Sequence, residues 1–350
     1  MVGKPRLRNE MMDGMTNTPG LSVLEICAGA GGQSVGLEGA GFSHSLAVEI
    51  DRDAAATLRL NRPDWEVHEG DVREIDGKGY KGIDLLAGGV PCPPFSIAGK
   101  QLGADDERDL FPEALRLVQE ARPAAVMLEN VKGLASARFT TYRQSILNRL
   151  SDLGYEADWR LFNASDFGVP QLRPRFILVA LKKRHYKRFD WPAPLGTPPT
   201  VGNVLLPLMS SGGWEGADAW AARANDIAPT VVGGSKKHGG ADLGPTRAKA
   251  AWLQLGVDGK GIANDPPGAD TPLDHTPRLT NQMVARVQGF PAGWRFAGRK
   301  TSIYRQIGNA FPPPVAMAIG GSIASALGST TQPVDEVIEM MNEERMLLSV

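Results

Sequence analysis

The sequence predicts an α/β protein, a doubly wound, mostly parallel sheet joined to a second, smaller, loop-rich domain. Three observations carry that expectation. Short apolar runs alternate with helix-spaced segments from Leu21 to Leu181, the order that gives parallel strands linked by crossover helices. A glycine-rich turn, Cys27-Ala28-Gly29-Ala30-Gly31-Gly32, follows the first of those runs directly. From about Trp191 the alternation gives way to proline- and glycine-rich sequence in which no period survives.

Taken in order, Leu21 to Cys27 reads as a strand, Gln33 to Glu38 as a helix, Ser45 to Ile50 as a strand and Asp53 to Asn61 as a helix. Trp65 to Glu69 and Ile83 to Gly88 read as strands, Phe111 to Ala121 as a helix, and Ala124 to Glu129 as a strand that stops at Glu129-Asn130-Val131. Tyr142 to Leu153 reads as a helix closed by Gly154, and Phe176 to Leu181 as the last strand. In the second half, Trp191, Trp214, Trp220 and Trp252 argue for an ordered domain, because linkers rarely carry large aromatics. Helical spacing returns at Asn281 to Gln288 and Pro314 to Leu327, and again in the acidic stretch Asp335 to Leu348. Residues 1–20 read as a mobile arm.

Composition narrows the function classes. At 350 residues the chain has room for two domains and a packed core. Its only cysteines, Cys27 and Cys92, give neither a disulfide framework nor a metal cluster, which suits a reducing compartment. The basic N-terminus is followed by no apolar run, and no stretch approaches a membrane span, so a soluble intracellular protein is expected. A net charge of −1 argues against indiscriminate nucleic-acid binding, yet the charge is uneven. Arg173, Arg175, Lys182, Lys183, Arg184, Lys187 and Arg188 form a run without an acid; Lys236, Lys237, Arg247 and Lys249 come next, then Arg295, Arg299, Lys300 and Arg305.

Two strand ends carry reactive groups. Cys92 stands between Pro91 and Pro93 where the Ile83 to Gly88 strand gives way to a loop, and Glu129 closes the Ala124 strand. In open α/β sheets ligands bind beyond the carboxyl ends of the strands, so a thiol and a carboxylate there describe one pocket. At the other end of that pocket, the glycine turn lets backbone approach a ligand, Glu49 is placed to accept from a ribose diol, and Asp71 to address an adenine amine. A dinucleotide fingerprint needs a third glycine where Ser34 stands, so an adenosyl cofactor is favoured over a nicotinamide one.

These blocks resemble the DNA (cytosine-5) methyltransferase family from about Leu21 to Leu327, and they occur in the family's order. Leu24 to Gly32 is similar to the S-adenosylmethionine loop, Pro91-Cys92 to the catalytic dipeptide, Glu129-Asn130-Val131 to the acidic tripeptide and Gln171-Leu172-Arg173-Pro174-Arg175 to the Gln-x-Arg-x-Arg block. Arg278-Leu279-Thr280, Gln288-Gly289-Phe290-Pro291 and Gln306-Ile307-Gly308-Asn309-Ala310 complete the set. The family usually has an aromatic residue at Cys27 and a glutamine at Pro93.

The resemblance implies methyl transfer from S-adenosylmethionine to C5 of a flipped cytosine in a specific duplex sequence, through a covalent Cys92 adduct. It implies Cys92, Glu129, Arg175 and Arg173 as catalytic residues. Cys27, Ala28, Gly29, Gly31, Gly32, Glu49, Ile50, Asp71, Val72, Gly89, Pro91, Asn309 and Ala310 would hold the cofactor, and Gln171, Lys236, Lys237, His238 and Arg247 would meet DNA. No metal is implied. The implied division is a catalytic and cofactor-binding domain (21–188), a target-recognition domain (189–277), a hinge and return segment (278–304), a helix rejoining the catalytic domain (305–330) and an acidic tail (331–350). A monomer, cytoplasmic and associated with the nucleoid, partnered by a restriction endonuclease for the same site, is the setting it implies. The branch that modifies tRNA carries a Cys-Phe-Thr element, which is absent here.

Overall fold

The computed structural model describes residues 20–91, 109–234 and 240–329. The N-terminal arm, the loop that begins with Cys92, residues Lys236, Lys237 and His238, and the acidic tail lie outside the described residues.

The first half of the chain is built on one seven-stranded sheet. Its strands are β1 (Leu21–Ile26), β2 (Phe42–Glu49), β3 (Val67–Glu69), β4 (Leu85–Gly88), β5 (Ala125–Val131), β6 (Tyr155–Asn163) and β7 (Pro174–Lys182). They lie in the order β3-β2-β1-β4-β5-β7-β6. β1 to β5 are parallel; β7 pairs antiparallel with β5, and β6 with β7. The order turns back between β1 and β4, and that switch is where an open α/β sheet leaves a crevice for a ligand.

Helices α1 (Gly32–Gly39), α2 (Arg52–Asn61), α3 (Phe111–Ala121), α4 (Thr140–Asp152) and the short α5 (Lys183–Tyr186) connect or follow these strands. Strand alternation sorts the core onto two faces. Val23, Leu85 and Met127 pack with α1 and with a late helix, α11 (Pro313–Leu327). Leu24, Ile26, Leu86 and Val126 pack with Leu117 and Val118 of α3 and Ile146 and Leu150 of α4. On the first face Glu25 is fully buried, accepting from Gln33 of α1 at 3.1 Å and paired with His44 of β2 at 2.7 Å.

The second half is helical among the described residues, with α6 (Val201–Ser210), α7 (Ala217–Arg223), α8 (Thr246–Gln254), α9 (Asn281–Val287) and α10 (Lys300–Asn309) preceding α11. Trp214, Trp220 and Trp252 are buried at its centre, with the indole N–H of Trp220 donating to the Gly256 carbonyl at 3.0 Å. That core also takes in Ala28, Val35 and Leu58, so it abuts the cofactor end of the sheet. Lys300–Leu327 is the one helical stretch among the described residues apolar and long enough to cross a membrane, and 78% of its most apolar window is buried inside the protein.

Several elements depart from the sequence reading. β3 spans only Val67–Glu69, because Trp65 turns aside to stack on His44 with ring centroids 3.9 Å apart. β5 does not stop at Glu129; it runs on to Val131, held by register with Arg175 of β7. β6, α6, α7, α8 and α10 were not expected at all. α6 hides behind Pro207 inside the helix, although Thr200 caps it by accepting from the Asn203 N–H at 3.2 Å.

Candidate active site

A cavity of about 710 Å³ opens at the switch between β1 and β4. Of the residues expected to hold a cofactor, all but Gly31 line it: Cys27, Ala28, Gly29, Gly32, Glu49, Ile50, Asp71, Val72, Gly89, Pro91, Asn309 and Ala310. They come from the ends of β1, β2, β3 and β4 and from the end of α10, which arrives from the far half of the chain.

The cavity floor is set by backbone geometry. After β1, Cys27 takes a left-handed conformation (φ 51°), and Gly29 (φ 58°) and Gly31 (φ 90°) follow it before α1 begins. The turn exposes the Gly29 N–H, which donates to Glu49 Oε2 at 2.7 Å, while Asp51 N–H donates to Oε1 at 2.6 Å. Glu49 is buried, and burial raises its pKa, an effect that those two backbone donors oppose. Each carboxylate oxygen retains acceptor capacity beyond its backbone donor, and Glu49 lines the cavity. A buried acceptor beside a glycine cradle, with Ile50 70% exposed at the rim, fits an adenosyl group, the diol on Glu49 and the adenine face on Ile50.

Glu49→Ala is therefore expected to weaken S-adenosylmethionine binding by about 1.5 to 3 kcal/mol, the worth of hydrogen bonds to a charged acceptor. Calorimetry on the DNA-free protein measures it. Because burial raises the Glu49 pKa above that of an ordinary carboxylate, and only the ionised carboxylate accepts from both hydroxyls, binding to the unmutated protein should weaken as pH falls into the acid range, sooner than an ordinary carboxylate would allow, while the alanine variant stays flat. Unchanged affinity in Glu49→Ala would reassign the carboxylate to holding its own loop.

Gly31 has a different task from the one expected. A Cβ there would stand 2.5 Å from Cζ2 of Trp294. Its glycine is required because Trp294 covers it, donating its indole N–H to the Ala30 carbonyl at 3.0 Å and facing Arg62, which pairs with Glu38 of α1. Trp294 thus clamps the cofactor loop, a role that sequence reasoning missed. The signal was the aromatic following Gln288-Gly289-Phe290-Pro291.

At the opposite wall, Glu129 Oε1 lies 2.6 Å from Arg175 Nε, with both side chains about nine-tenths buried. Burial lowers the Arg175 pKa and the Glu129 charge opposes it, so the two groups compensate each other. Glu129 also sits over Gly89, where a Cβ would come within 3.3 Å of Oε2. The neighbouring Asn130 is buried and donates to the Val90 carbonyl at 2.8 Å, fastening the chain immediately before Pro91 and Cys92. No role had been read for Asn130. Cys92 itself lies outside the described residues; the residue before it in sequence, Pro91, lines the cavity.

Two expected residues are corrected. Arg173, expected among the catalytic groups, is buried at 1% exposure and donates to the carbonyls of Val231, Gly308 and Ala310 at 2.6, 2.8 and 2.9 Å. Burial first, then the adjacent Arg175 charge, holds its pKa well below the usual range. The guanidinium ties β7 to the far half rather than facing the cavity. Gln171, expected to meet DNA, is fully buried, donating to Gln288 Oε1 at 2.7 Å and accepting from the Val231 N–H at 2.8 Å. Beside them Gly308 lies so close to Gly233 that a Cβ would meet the Gly233 nitrogen at 2.4 Å, so the chain at Gly233 rests on the helix that lines the cavity.

Removing Arg173 would leave three buried acceptors without their donor. Arg173→Ala is expected to cost roughly 3 kcal/mol or more of stability, since each orphaned buried group costs about 1 to 3 kcal/mol. A urea melt reads this as a lower midpoint. A midpoint like that of the unmutated protein would return Arg173 to the catalytic set.

The remaining expected DNA contact, Arg247, is exposed in the first turn of α8. Cys27 is free but poorly reactive, its pKa pushed up to about 12 by burial and by the charges of Glu49, Asp71 and Glu25. No group of His, Cys, Asp and Glu among the described residues could hold a metal ion.

Comparison with known proteins adds to this geometry. The profile of the C-5 cytosine-specific DNA methylase family matches residues 21–325. The chain is 61% identical over 323 residues to the type II methyltransferase M.NaeI of Lentzea aerocolonigenes, covering 91% of this chain and 78% of that one. It is 54% identical over 308 residues to M.NgoMIV of Neisseria gonorrhoeae, covering 87% and 97%. Among solved structures, a DNA modification methyltransferase described as putative, encoded within an Escherichia coli prophage, superposes with a TM-score of 0.63 at 27% identity, over 88% of this chain and 100% of that one. The Dnmt2 methyltransferase of S. pombe, at 16% identity and a TM-score of 0.60 over 88% and 99%, shares the fold.

Proposed function

The chain belongs to the C-5 cytosine-specific DNA methylase family and is a DNA cytosine-5-methyltransferase that uses S-adenosylmethionine, and from that premise we propose that it methylates a cytosine flipped out of a specific duplex sequence, through a transient bond between Cys92 and C6. The observation that carries this reading is a single cavity shared by the Gly29–Glu49 cradle, Pro91 and Glu129. A cytosine inside the stack cannot reach such a cavity, so the base must leave the duplex.

Cytosine C5 is too weak a nucleophile to take a methyl group unaided. S-adenosylmethionine, when bound, would supply the electrophilic methyl, its sulfonium S–CH3 bond breaking as C5 takes the methyl and S-adenosylhomocysteine leaving. Addition of the Cys92 thiolate forms an Sγ–C6 bond and turns the ring into an enamine whose C5 is nucleophilic. Glu129 holds N3 and the exocyclic amine as charge grows on the ring, and Arg175 fixes the Glu129 carboxylate for that task. Once the new C5–methyl bond has formed, a base takes the C5 proton, the C5–C6 double bond returns and the thiolate leaves. Asn130 and Gly89 set the approach of the loop to the base.

Target recognition is assigned to residues 189–277, with Arg247, Lys236, Lys237 and His238 reading or gripping DNA. The two type II relatives support a place in a restriction-modification system, with an endonuclease of the same specificity as partner. The enzyme acts as a cytoplasmic, nucleoid-associated monomer. Expression in a host lacking cytosine methylation, followed by sequencing of genomic DNA for 5-methylcytosine, tests the reading. Methylation confined to one sequence context is expected; its absence, or methylation of tRNA instead, would overturn it.

A further inference from the structure

The end of β7 and α5 carry a dense cluster of cations. Lys183, Arg184, Lys187 and Arg188 are exposed, and Lys182 and Arg122 adjoin them, with Lys182 Nζ donating to the Arg122 carbonyl at 2.9 Å. The ion pairs found among the described residues include none of these groups. The crowding is marked at His185, where Arg184 Nε lies 2.8 Å from one ring nitrogen and Arg188 Nη2 3.0 Å from the other. Burial and then those two guanidiniums lower the His185 pKa. Glu156 and Asp158 of β6 lie within electrostatic reach of Tyr186 on α5 but form no ion pair with these cations, so cations packed this closely still call for an anion from elsewhere.

The patch is remote from the chemistry. β7 runs antiparallel to β5, so Arg175 starts it at the catalytic end and Lys182 finishes it seven residues further on, about 23 Å away at a strand's rise. A duplex presenting a base to Glu129 is held at the other end of the sheet. An open patch here would bind DNA backbone unproductively.

α5 packs against the end of α11, and His185 hydrogen-bonds the Ala326 carbonyl. α11 closes at Gly328 in a left-handed conformation, with the Ser329 N–H returning to the Ala324 carbonyl at 3.0 Å. The chain therefore leaves the described structure beside the patch. Its C-terminal segment, 330–350, carries Asp335, Glu336, Glu339, Glu343 and Glu344 against one cation, Arg345. A few residues of chain, at up to about 3.5 Å each, suffice to bring those acids over α5.

We propose that the acidic segment 330–350 docks on the basic surface formed by Lys182, Lys183, Arg184, Lys187 and Arg188 and shields it from DNA. The segment meets the charge requirement, starts at the right place and needs no partner chain. It acts as a built-in competitor for phosphate, leaving the catalytic end as the surface through which the enzyme engages duplex.

Two measurements on the full-length chain test this. In the unmutated protein without DNA, a zero-length carbodiimide joins a carboxylate to a lysine amine with loss of water only where the two already touch. Amide links between Lys183 or Lys187 and Glu339, Glu343 or Glu344 are expected in the monomer fraction, and their absence overturns the proposal whatever the enzyme's substrate. The second is a cycle on noncognate duplex. Neutralising the segment (Asp335→Asn, Glu336→Gln, Glu339→Gln, Glu343→Gln, Glu344→Gln) should tighten binding roughly threefold to tenfold at low salt. It should also steepen the salt slope by about two to four units, near one per phosphate newly contacted. In a Lys183→Glu, Lys187→Glu background the same neutralisation should do neither. An equal effect in both backgrounds means that the acids act elsewhere, and the proposal fails.

Discussion

Cys92→Ser is expected to abolish methyl transfer while leaving S-adenosylmethionine affinity and the melting temperature unchanged. The serine hydroxyl is the smaller change in shape and the larger in chemistry, since it is not ionised at neutral pH and cannot add to C6 as a thiolate does. The chain holds one other thiol, and it cannot stand in. Cys27 lines the cavity, but burial and the charges of Glu49, Asp71 and Glu25 push its pKa up to about 12, so it stays a thiol at neutral pH. Cys27→Ala should therefore keep near-normal turnover. Radiolabelled methyl incorporation into duplex, with cofactor affinity read by calorimetry, separates the two variants. Turnover surviving in Cys92→Ser, or vanishing in Cys27→Ala, would remove the covalent route through Cys92.

The parts of the fold that were legible in the sequence are those whose pattern is local. α1, α2, α3 and α11 announce themselves by helical spacing, and β1, β2, β4 and β7 by apolar runs that can be buried on both faces. β6 was missed because it is an edge strand. Tyr155, Ala157, Trp159 and Leu161 do alternate with Glu156, Asp158 and Arg160, but the charges on the alternate positions read as loop. The helices between 201 and 254 are hidden by proline and glycine, and their stability comes from Trp220 and Trp252 in a shared core, which no local window shows.

Site residues divide in the same way. That Glu49, Asp71 and Glu129 would line one cavity was legible because the sheet topology fixes where strand ends go. Gln171 and Arg173 were misread because they share a two-residue spacing with Arg175 along one segment, and spacing alone does not say which of them faces the cavity. Here Gln171 and Arg173 meet Gln288, Val231 and Gly308, partners that approach from 58 to 135 residues away in sequence. Trp294 and Asn130 act through single hydrogen bonds to carbonyls, which leave no mark on composition.

Glu129→Gln is expected to lower the rate of methyl transfer by roughly 10² to 10⁴, the usual worth of a positioned acid. The substitution keeps the side chain's size and its reach over Gly89, so what it removes is the charge and the exchangeable proton that the proposed role at N3 requires. It also deprives Arg175 of its compensating charge in a nearly buried site, so some stability is lost as well. The two effects are separable. Single-turnover rates taken well below the melting temperature report the chemistry, and a thermal melt reports the unpaired guanidinium. Pairing Glu129→Gln with Arg175→Gln removes the stranded charge, so the double variant should recover stability while its rate stays low. S-adenosylmethionine affinity should hold in both, because Glu49 and the glycine turn are untouched. If the rate recovered along with stability, Glu129 would be a structural partner of Arg175 and the base would be held by another group.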